Sequence, residues 1–167
     1  MADVEIGSRV PAVPTGLVDA TGEPHDLAAA LARGPVVLGI YKSSCQASKT
    51  MFPFLERLHQ RHAGHGLAVY GVSQDSPTIT ASFARRLGIK FAILIEPAGY
   101  PVTLAFGVTF TPTVYLLLPD GAVGATTMGF FKDPVNEFGD AVATAVGQPA
   151  AELFTAADTD VPIFVPG

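Results

Sequence analysis

The chain has 167 residues, 49% of them hydrophobic, and a formal net charge of −5 at pH 7. This length and composition predict one globular domain with a sizeable buried core, and they exclude a disordered chain. The ten basic residues are scattered singly or in pairs, which argues against a nucleic-acid surface. The single cysteine, Cys45, excludes both an internal disulfide and a zinc site built from several thiolates.

The N-terminal sequence predicts neither secretion nor membrane binding. It carries Asp3 and Glu5 and lacks the apolar stretch of a secretory signal. No stretch of the chain reaches the roughly 18 apolar residues of a membrane span. We therefore expect a cytoplasmic protein, provided that no signal or anchor precedes this sequence. The oligomeric state is left open.

The first predicted elements are an edge strand and a short helix. Residues 10–18 predict a strand that Pro11 and Pro14 interrupt, and proline is tolerated mainly at the edge of a sheet. Asp26 is placed to cap an alanine-rich helix that continues to Arg33 and ends at the following Gly-Pro pair.

Residues 36–62 form the stretch around which the rest of the chain is organised. The apolar run VVLGIY at 36–41 predicts a buried strand, and a polar turn leads from it to Cys45 at the start of a helix. Pro53 lies inside that helix, where it removes a backbone hydrogen bond and should kink the axis. The helix is predicted to end at 64–66, and its apolar stripe consists of Met51, Phe54, Leu55 and Leu58.

The remaining pattern alternates strands with helices. Ser76 followed by Pro77 is a typical helix start, and Gly88 is a typical helix end. Asp133 and Pro134 are expected to cap the last helix. The other predicted elements are strands at 67–72 and 91–95, a helix at 102–106, and strands at 113–118 and 124–130 joined by a turn at 119–121. The inward residues of the two longer helices are predicted to be Ile79, Phe83 and Leu87 in one and Val135, Phe138, Val142 and Val146 in the other.

This order of elements predicts an α/β fold with a central, largely parallel sheet. We expect a single domain over residues 1–149, followed by a C-terminal tail over residues 150–167. The apolar residues 163–165 of the tail are able to dock on the domain.

Cys45 has a physical reason to be reactive. The free N–H groups and the dipole of a helix start favour a thiolate. Ser48 can turn its hydroxyl toward the sulfur, and Lys42 adds a positive charge nearby. The alternative is a small buried apolar side chain, since free cysteines are among the most buried residue types.

Four stretches carry a resemblance to a known family. They are Cys45-Gln46-Ala47-Ser48 with Pro53 eight residues after the cysteine, GVSQDS at 71–76, FGVTFTPT at 106–113, and PDG at 119–121. In order and spacing they resemble the thioredoxin superfamily, in the redoxin branch that groups thiol–disulfide interchange proteins with AhpC/TSA and peroxiredoxin relatives. The resemblance covers about residues 8–147 and implies a thioredoxin-like fold, with a central mixed sheet and helices on both faces.

The resemblance also implies an activity and a site. Cys45 would be the nucleophile of a thiol–disulfide oxidoreductase, with Ser48 beside it as a second catalytic residue. Thr111-Pro112 would be a cis bond against the helix start, where the backbone pairs with an extended substrate. The expected partners are protein disulfides or low-molecular-weight thiols and an external thiol reductant, with no cofactor and no metal. The thiol surroundings would be completed by Tyr41, Lys42 and Ser44.

The chain departs from the family pattern in its thiol motif. Ser48 replaces the resolving cysteine, so an external thiol would have to release a mixed disulfide from Cys45. Ser44 replaces the tryptophan that usually precedes the motif. Gly39 and Met51 flank the cysteine at a spacing of six residues, and neither supplies the buried acid of some members.

The peroxiredoxin pattern P-x-x-x-T-x-x-C also fails, because Leu38 and Lys42 stand at its proline and threonine, and no arginine follows Arg86. The leading hypothesis is therefore a monothiol thioredoxin-like oxidoreductase. The alternatives are a one-cysteine peroxidase and a redox-silent module that binds a protein or peptide at the proline surface.

Other polar groups have simpler explanations. The H-x-x-H-x-x-H stretch at 59–65 is not expected to bind a metal, because His65 follows the helix end, where histidines are favoured by the helix dipole and by solvent. Glu96 is expected to be a turn residue, and Asp75 and Ser76 are expected to cap a helix.

Overall fold

The computed structural model describes residues 4–167, so Asp3 lies outside the described residues. Within this part of the chain, no helix is both long and apolar enough to cross a membrane. The helices are α1 (Leu27–Arg33), α2 (Gln46–His62), α3 (Pro77–Leu87), α4 (Pro101–Phe106) and α5 (Lys132–Ala145). The strands are β1 (Leu17–Asp19), β2 (Pro24–His25), β3 (Val36–Tyr41), β4 (Ala68–Ser73), β5 (Ala92–Ile95), β6 (Thr113–Leu117), β7 (Val123–Met128), β8 (Phe130–Phe131) and β9 (Phe164–Val165).

Seven strands form the central sheet, in the order β2-β1-β5-β4-β3-β6-β7. β4 pairs in parallel with both of its neighbours, β3 and β5, whereas every other pairing in this sheet is antiparallel. The mixed α/β sheet is therefore confirmed, and the expectation of a largely parallel one is wrong. The reason is that β1 and β6, which flank the parallel centre, run opposite to it, and β2 and β7 in turn pair antiparallel with them.

Helices cover both faces of this sheet, because successive residues of its strands point to opposite sides. Val37 of β3 belongs to a core cluster with residues of α2, α3 and α5. Its neighbours Val36 and Leu38 belong to a second cluster with residues of α1 and α4. The centre of β3 is thus buried from both sides, which explains its uninterrupted apolar sequence.

Several predicted helix boundaries are confirmed. The Asp26 side chain accepts the Ala29 N–H at 3.0 Å and caps α1. Ser76 caps α3 by accepting the Ile79 N–H at 3.2 Å, and Gly88 ends that helix with φ 68 in the left-handed region. These predictions succeed because capping depends on residues close in sequence.

Three local predictions are wrong. Only residues 17–19 of the predicted first strand are extended in the sheet, because the prolines before them cannot donate to a ladder. Phe131, rather than Asp133, is the N-cap of α5, since β8 runs directly into the helix. Ile79 is 48% exposed and does not face the core.

The C-terminal tail is docked on the domain. Leu153 and Phe154 are buried in the α2–α5 core, and β9 pairs antiparallel with β8. Residues 164–165 pair with β8, whereas the side chains of Ile163 and Phe164 remain 80% and 50% exposed.

Candidate functional site at Cys45

The fold places Cys45 where the two central parallel strands, β3 and β4, end. Cys45 is the N-cap of α2, with φ −83 and ψ 123, and its side chain is partly buried. The turn before it is held by Asp75, whose carboxylate accepts the Ser43 N–H at 2.8 Å. Asp75 therefore holds the turn that leads into Cys45. The side-chain cap of α3 is supplied by Ser76 alone, which corrects the prediction that Asp75 and Ser76 both cap this helix.

The environment of the sulfur favours the thiolate. Burial raises the pKa of Cys45, but the N–H groups of Ser48 and Ala47 and the hydroxyls of Ser48 and Thr111 outweigh it, so the pKa lies below its usual value. The Ser48 side chain is 0% exposed, and its Oγ has no hydrogen-bond partner among the described residues in this geometry. Its hydroxyl nevertheless contributes to the lowered pKa of Cys45.

The second half of the site is the peptide unit before Pro112. The Thr111-Pro112 bond is cis, and the Cys45 thiol donates to the Thr111 carbonyl oxygen at 3.2 Å. Pro112 is buried and Thr111 is partly exposed. Among the described residues, no backbone hydrogen bond uses the Thr111 N–H. A backbone segment whose N–H is not used by a described backbone hydrogen bond thus lies within reach of the sulfur.

Comparison with known protein families returns a match over most of the chain. Residues 6–126 match the AhpC/TSA family. This chain belongs to the AhpC/TSA family. The resemblance to redoxins is therefore confirmed at the level of the family. Comparison with curated proteins returns no significant match.

Solved structures establish the fold of this AhpC/TSA protein. A candidate thiol:disulfide interchange protein DsbE from Chlorobium tepidum superposes with a TM-score of 0.76 at 21% identity, covering 87% of this chain and 100% of that chain. Peroxidoxin BcpB from Mycobacterium tuberculosis gives 0.71 at 24% identity, covering 86% and 97%. The thioredoxin domain of a thiol-disulfide oxidoreductase from Bacteroides vulgatus gives 0.71 at 19% identity, covering 81% and 96%. At these identities the likeness establishes a thioredoxin-like fold.

The remaining predicted site residues of the AhpC/TSA protein differ in their roles. Lys42 and Ser44 are exposed in the turn before Cys45, and the Lys42 charge is not among the causes that lower the thiol pKa. Tyr41 is fully buried between Phe52 and Phe83, at centroid distances of 4.3 and 4.4 Å. Tyr41 therefore supports the site from the core and does not line its accessible surface, which corrects its predicted place.

Glu96 does more than form a turn. It is 6% exposed, and its two carboxylate oxygens accept the N–H and the hydroxyl of Thr103, each at 2.6 Å. The Gln74 side chain donates to the same hydroxyl at 2.8 Å. This network holds α4 beside the site, where Gln74 and Thr103 line a cavity of about 210 Å³ together with Lys42, Val108, Thr109, Phe110 and Thr111. The sequence contains no local pattern for it, because its members come from three separate elements.

The three histidines at 59–65 do not all face solvent. His62 is buried, which lowers its pKa, and the nearby charges of Arg61 and His65 lower it further. The His62 side chain is therefore buried at the end of α2, whereas the predicted solvent-favoured position concerned His65. Within the described part of the chain, no group of three or more His, Cys, Asp or Glu side chains is arranged to hold a metal.

Proposed function

We propose that this protein is a monothiol oxidoreductase that exchanges disulfides or mixed disulfides through a Cys45 thiolate. The observation that carries the proposal is the position of the Cys45 sulfur. It lies partly exposed at the start of α2 with a lowered pKa, 3.2 Å from the Thr111 carbonyl oxygen. A lower thiol pKa increases the fraction of the nucleophilic thiolate at neutral pH.

The proposed reaction has two steps, because Cys45 is the only cysteine in the chain. The thiolate attacks one sulfur of a disulfide R–S–S–R′, forms Cys45–S–S–R and expels R′S⁻, which takes a proton from water. The thiolate of an external thiol R″SH then attacks that mixed disulfide, releases R–S–S–R″ and restores the Cys45 thiolate. Over the two steps, one sulfur of the substrate disulfide leaves as the thiol R′SH, the external thiol ends in the mixed disulfide R–S–S–R″, and no cofactor is required.

The Thr111 backbone would orient the substrate in this scheme. Its carbonyl accepts the neutral Cys45 thiol, so deprotonation frees that oxygen for a substrate N–H. An extended segment pairing with Thr111 by strand addition would then bring its sulfur close to Cys45. Ser48 would donate its hydroxyl to the thiolate throughout the cycle.

The test uses bis(2-hydroxyethyl) disulfide and the purified protein. We expect the native protein to gain one half of the disulfide at Cys45 and to lose it when glutathione is added. Cys45→Ser should form no adduct. If the folded protein forms no adduct while the unfolded protein does, the redox-silent binding module becomes the better description.

Peroxide reduction is a second candidate, favoured by the match to the AhpC/TSA family over residues 6–126. In this reaction the Cys45 thiolate takes one oxygen from ROOH, which gives Cys45–SOH and ROH, and external thiols reduce the sulfenic acid. Leu38 is a fully buried core residue and Lys42 is exposed, so neither supplies the peroxiredoxin pattern beside the sulfur. We therefore expect dimedone trapping of Cys45–SOH to be slow compared with disulfide exchange.

A further inference from the structure

The end of the C-terminal tail reaches the peptide unit that contacts the thiol. β9 pairs with β8 in the register Phe131↔Phe164, and the chain then passes Gly129. A Cβ atom added at Gly167 would collide with the Thr111 carbonyl oxygen and would lie 3.7 Å from Gly129 Cα. The backbone of Gly167 is therefore packed against the same carbonyl to which the Cys45 thiol donates at 3.2 Å.

The first half of the tail is firmly anchored to the helix that begins at Cys45. Arg57 of α2 forms two hydrogen bonds with the Asp158 carboxylate, at 2.6 and 2.7 Å, and a third with the Leu153 carbonyl at 2.9 Å. Phe154 is buried in the same core. Residues 153–158 therefore hold the rest of the tail near the site.

The second half is weakly held by comparison. β9 has only two residues, Ile163 is 80% exposed and Phe164 is 50% exposed. Segments that bury little apolar surface open locally at low free-energy cost. Opening of residues 162–167 would break the β8–β9 pairing, the Phe131–Phe164 ring contact and the hydrogen bond from the Lys132 N–H to the Ile163 carbonyl, but not the anchor at Asp158.

We propose that residues 162–167 cover the strand-addition edge at Thr111, so that Cys45 reacts readily with small disulfides and with extended polypeptides only after this segment has moved away. A paired strand would have to lie about 4.8 Å from the Thr111 backbone, and Gly167 already fills that place. A small disulfide needs only the exposed part of the sulfur. The inference rests on the proposed function for its substrates, but the covering of Thr111 can be tested without them.

The experiment compares two electrophiles that carry the same reactive group. Iodoacetamide reports access for a small molecule, and an iodoacetyl group on an extended peptide of about ten residues reports access for a strand. The variants are removal of residues 162–167, which leaves the Asp158 anchor, and the milder Gly167→Ala. Gly64→Ala is the matched control, because a Cβ at Gly64 meets no heavy atom within 4 Å and lies away from the site.

We expect removal of residues 162–167 to raise the peptide rate about tenfold while the iodoacetamide rate stays within about twofold, because only the open fraction of molecules accepts a strand. Gly167→Ala should shift the same ratio in the same direction, and Gly64→Ala should leave it unchanged. An equal ratio in the native protein and in both tail variants would overturn the inference. If the shortened chain fails to fold, Gly167→Ala decides the question in the full-length protein.

A parallel measurement with bis(2-hydroxyethyl) disulfide separates the two proposals. If the alkylation ratio shifts but no disulfide reacts, the covering segment is supported and the proposed function fails. If small disulfides react and the ratio is the same in all variants, the oxidoreductase stands and the covering segment is wrong.

Discussion

At the level of single residues, neutral dipoles stabilise the thiolate. Burial opposes the charge of Cys45, and the N–H groups of Ala47 and Ser48, with the hydroxyls of Ser48 and Thr111, supply the compensation. Interactions with such fixed, partly buried groups are screened by salt much less than interactions with exposed charges. The site therefore differs from one in which a lysine or histidine activates the cysteine.

The first prediction follows from that difference. The rate of Cys45 alkylation should rise with pH around a midpoint below that of a free cysteine thiol, because the pKa of this thiol is lowered. The midpoint should change little in 1 M KCl or in Lys42→Ala. Stopped-flow alkylation with iodoacetamide over pH measures it. A midpoint that rises in Lys42→Ala would mean that the lysine charge, and not the helix start, sets the reactivity.

The second prediction concerns Ser48. Ser48→Ala should raise the pKa of Cys45 and slow alkylation at neutral pH, because the thiolate loses a hydroxyl donor. Unfolding stability should change by less than about 1 kcal/mol, since the buried Ser48 hydroxyl has no hydrogen-bond partner among the described residues to lose. Urea denaturation and alkylation together separate the two effects. A large loss of stability with an unchanged pKa would show that Ser48 is only a packing residue.

Among the secondary-structure elements, those defined by local sequence were the predictable ones. The apolar run of β3, the caps of α1 and α3 and the turn before β7 all follow from residues close in the chain. The Asp75 contact to Ser43 could not be predicted in this way, because it joins residues 32 positions apart. Side-chain contacts of this kind depend on strand order and not on propensity.

The thiol motif itself was predictable, whereas its support was not. Cys45 and Ser48 are neighbours on one turn of α2, so their sequence spacing already brings them together. The cover over Thr111 comes from Gly167, and nothing in the local pattern of residues 150–167 indicates where the tail runs. Only the packing of the tail against α2 and β8 determines that path.

Gly39 and Gly71 lie where the central sheet packs against α2. They are paired across β3 and β4, and both face the ring of Phe52 in α2. An added Cβ would lie 3.4 Å from that ring at Gly39 and 3.1 Å from it at Gly71. The two glycines therefore form the slot that lets α2, and with it Cys45, sit close to the sheet.

The third prediction tests this slot. Gly71→Ala should lower the free energy of unfolding by about 1–3 kcal/mol, because the new methyl group overpacks the contact with Phe52. Urea denaturation measures the change, and Gly64→Ala, whose added Cβ meets open space, should stay within about 0.5 kcal/mol. Phe52→Leu in the same chain should recover part of the loss. Additive losses in the double variant would show that the ring and the glycine are not in conflict.

At the scale of the whole molecule, the tail forms part of the layer of helices that supports Cys45. Leu153 and Phe154 complete the core between α2 and α5, and Arg57 ties Asp158 to the middle of α2. The helix whose N-cap is Cys45 is therefore supported by contacts with the tail at its middle. The reactive thiol and the docked tail are therefore connected through the packing of α2.

The last prediction is a pH-dependent stability that arises from this tie. Hydrogen bonds from Arg57 and from the Thr155 N–H lower the pKa of Asp158 well below its usual range. A carboxylate whose pKa is lowered by folding contributes stability above its unfolded-state pKa of about 3.9 and loses that contribution as the pH falls toward the folded-state value. Asp158→Asn should therefore lower the melting temperature at pH 7, and its difference in melting temperature from the native protein should shrink between about pH 5 and the acid limit of folding.

Asp160→Asn is the matched control, because no ion pair is formed by Asp160 within the described residues. Calorimetry from pH 3 to pH 8 measures both variants, and a difference for Asp158→Asn that stays constant across this range would mean that the charge of Asp158 does not stabilise the docked tail.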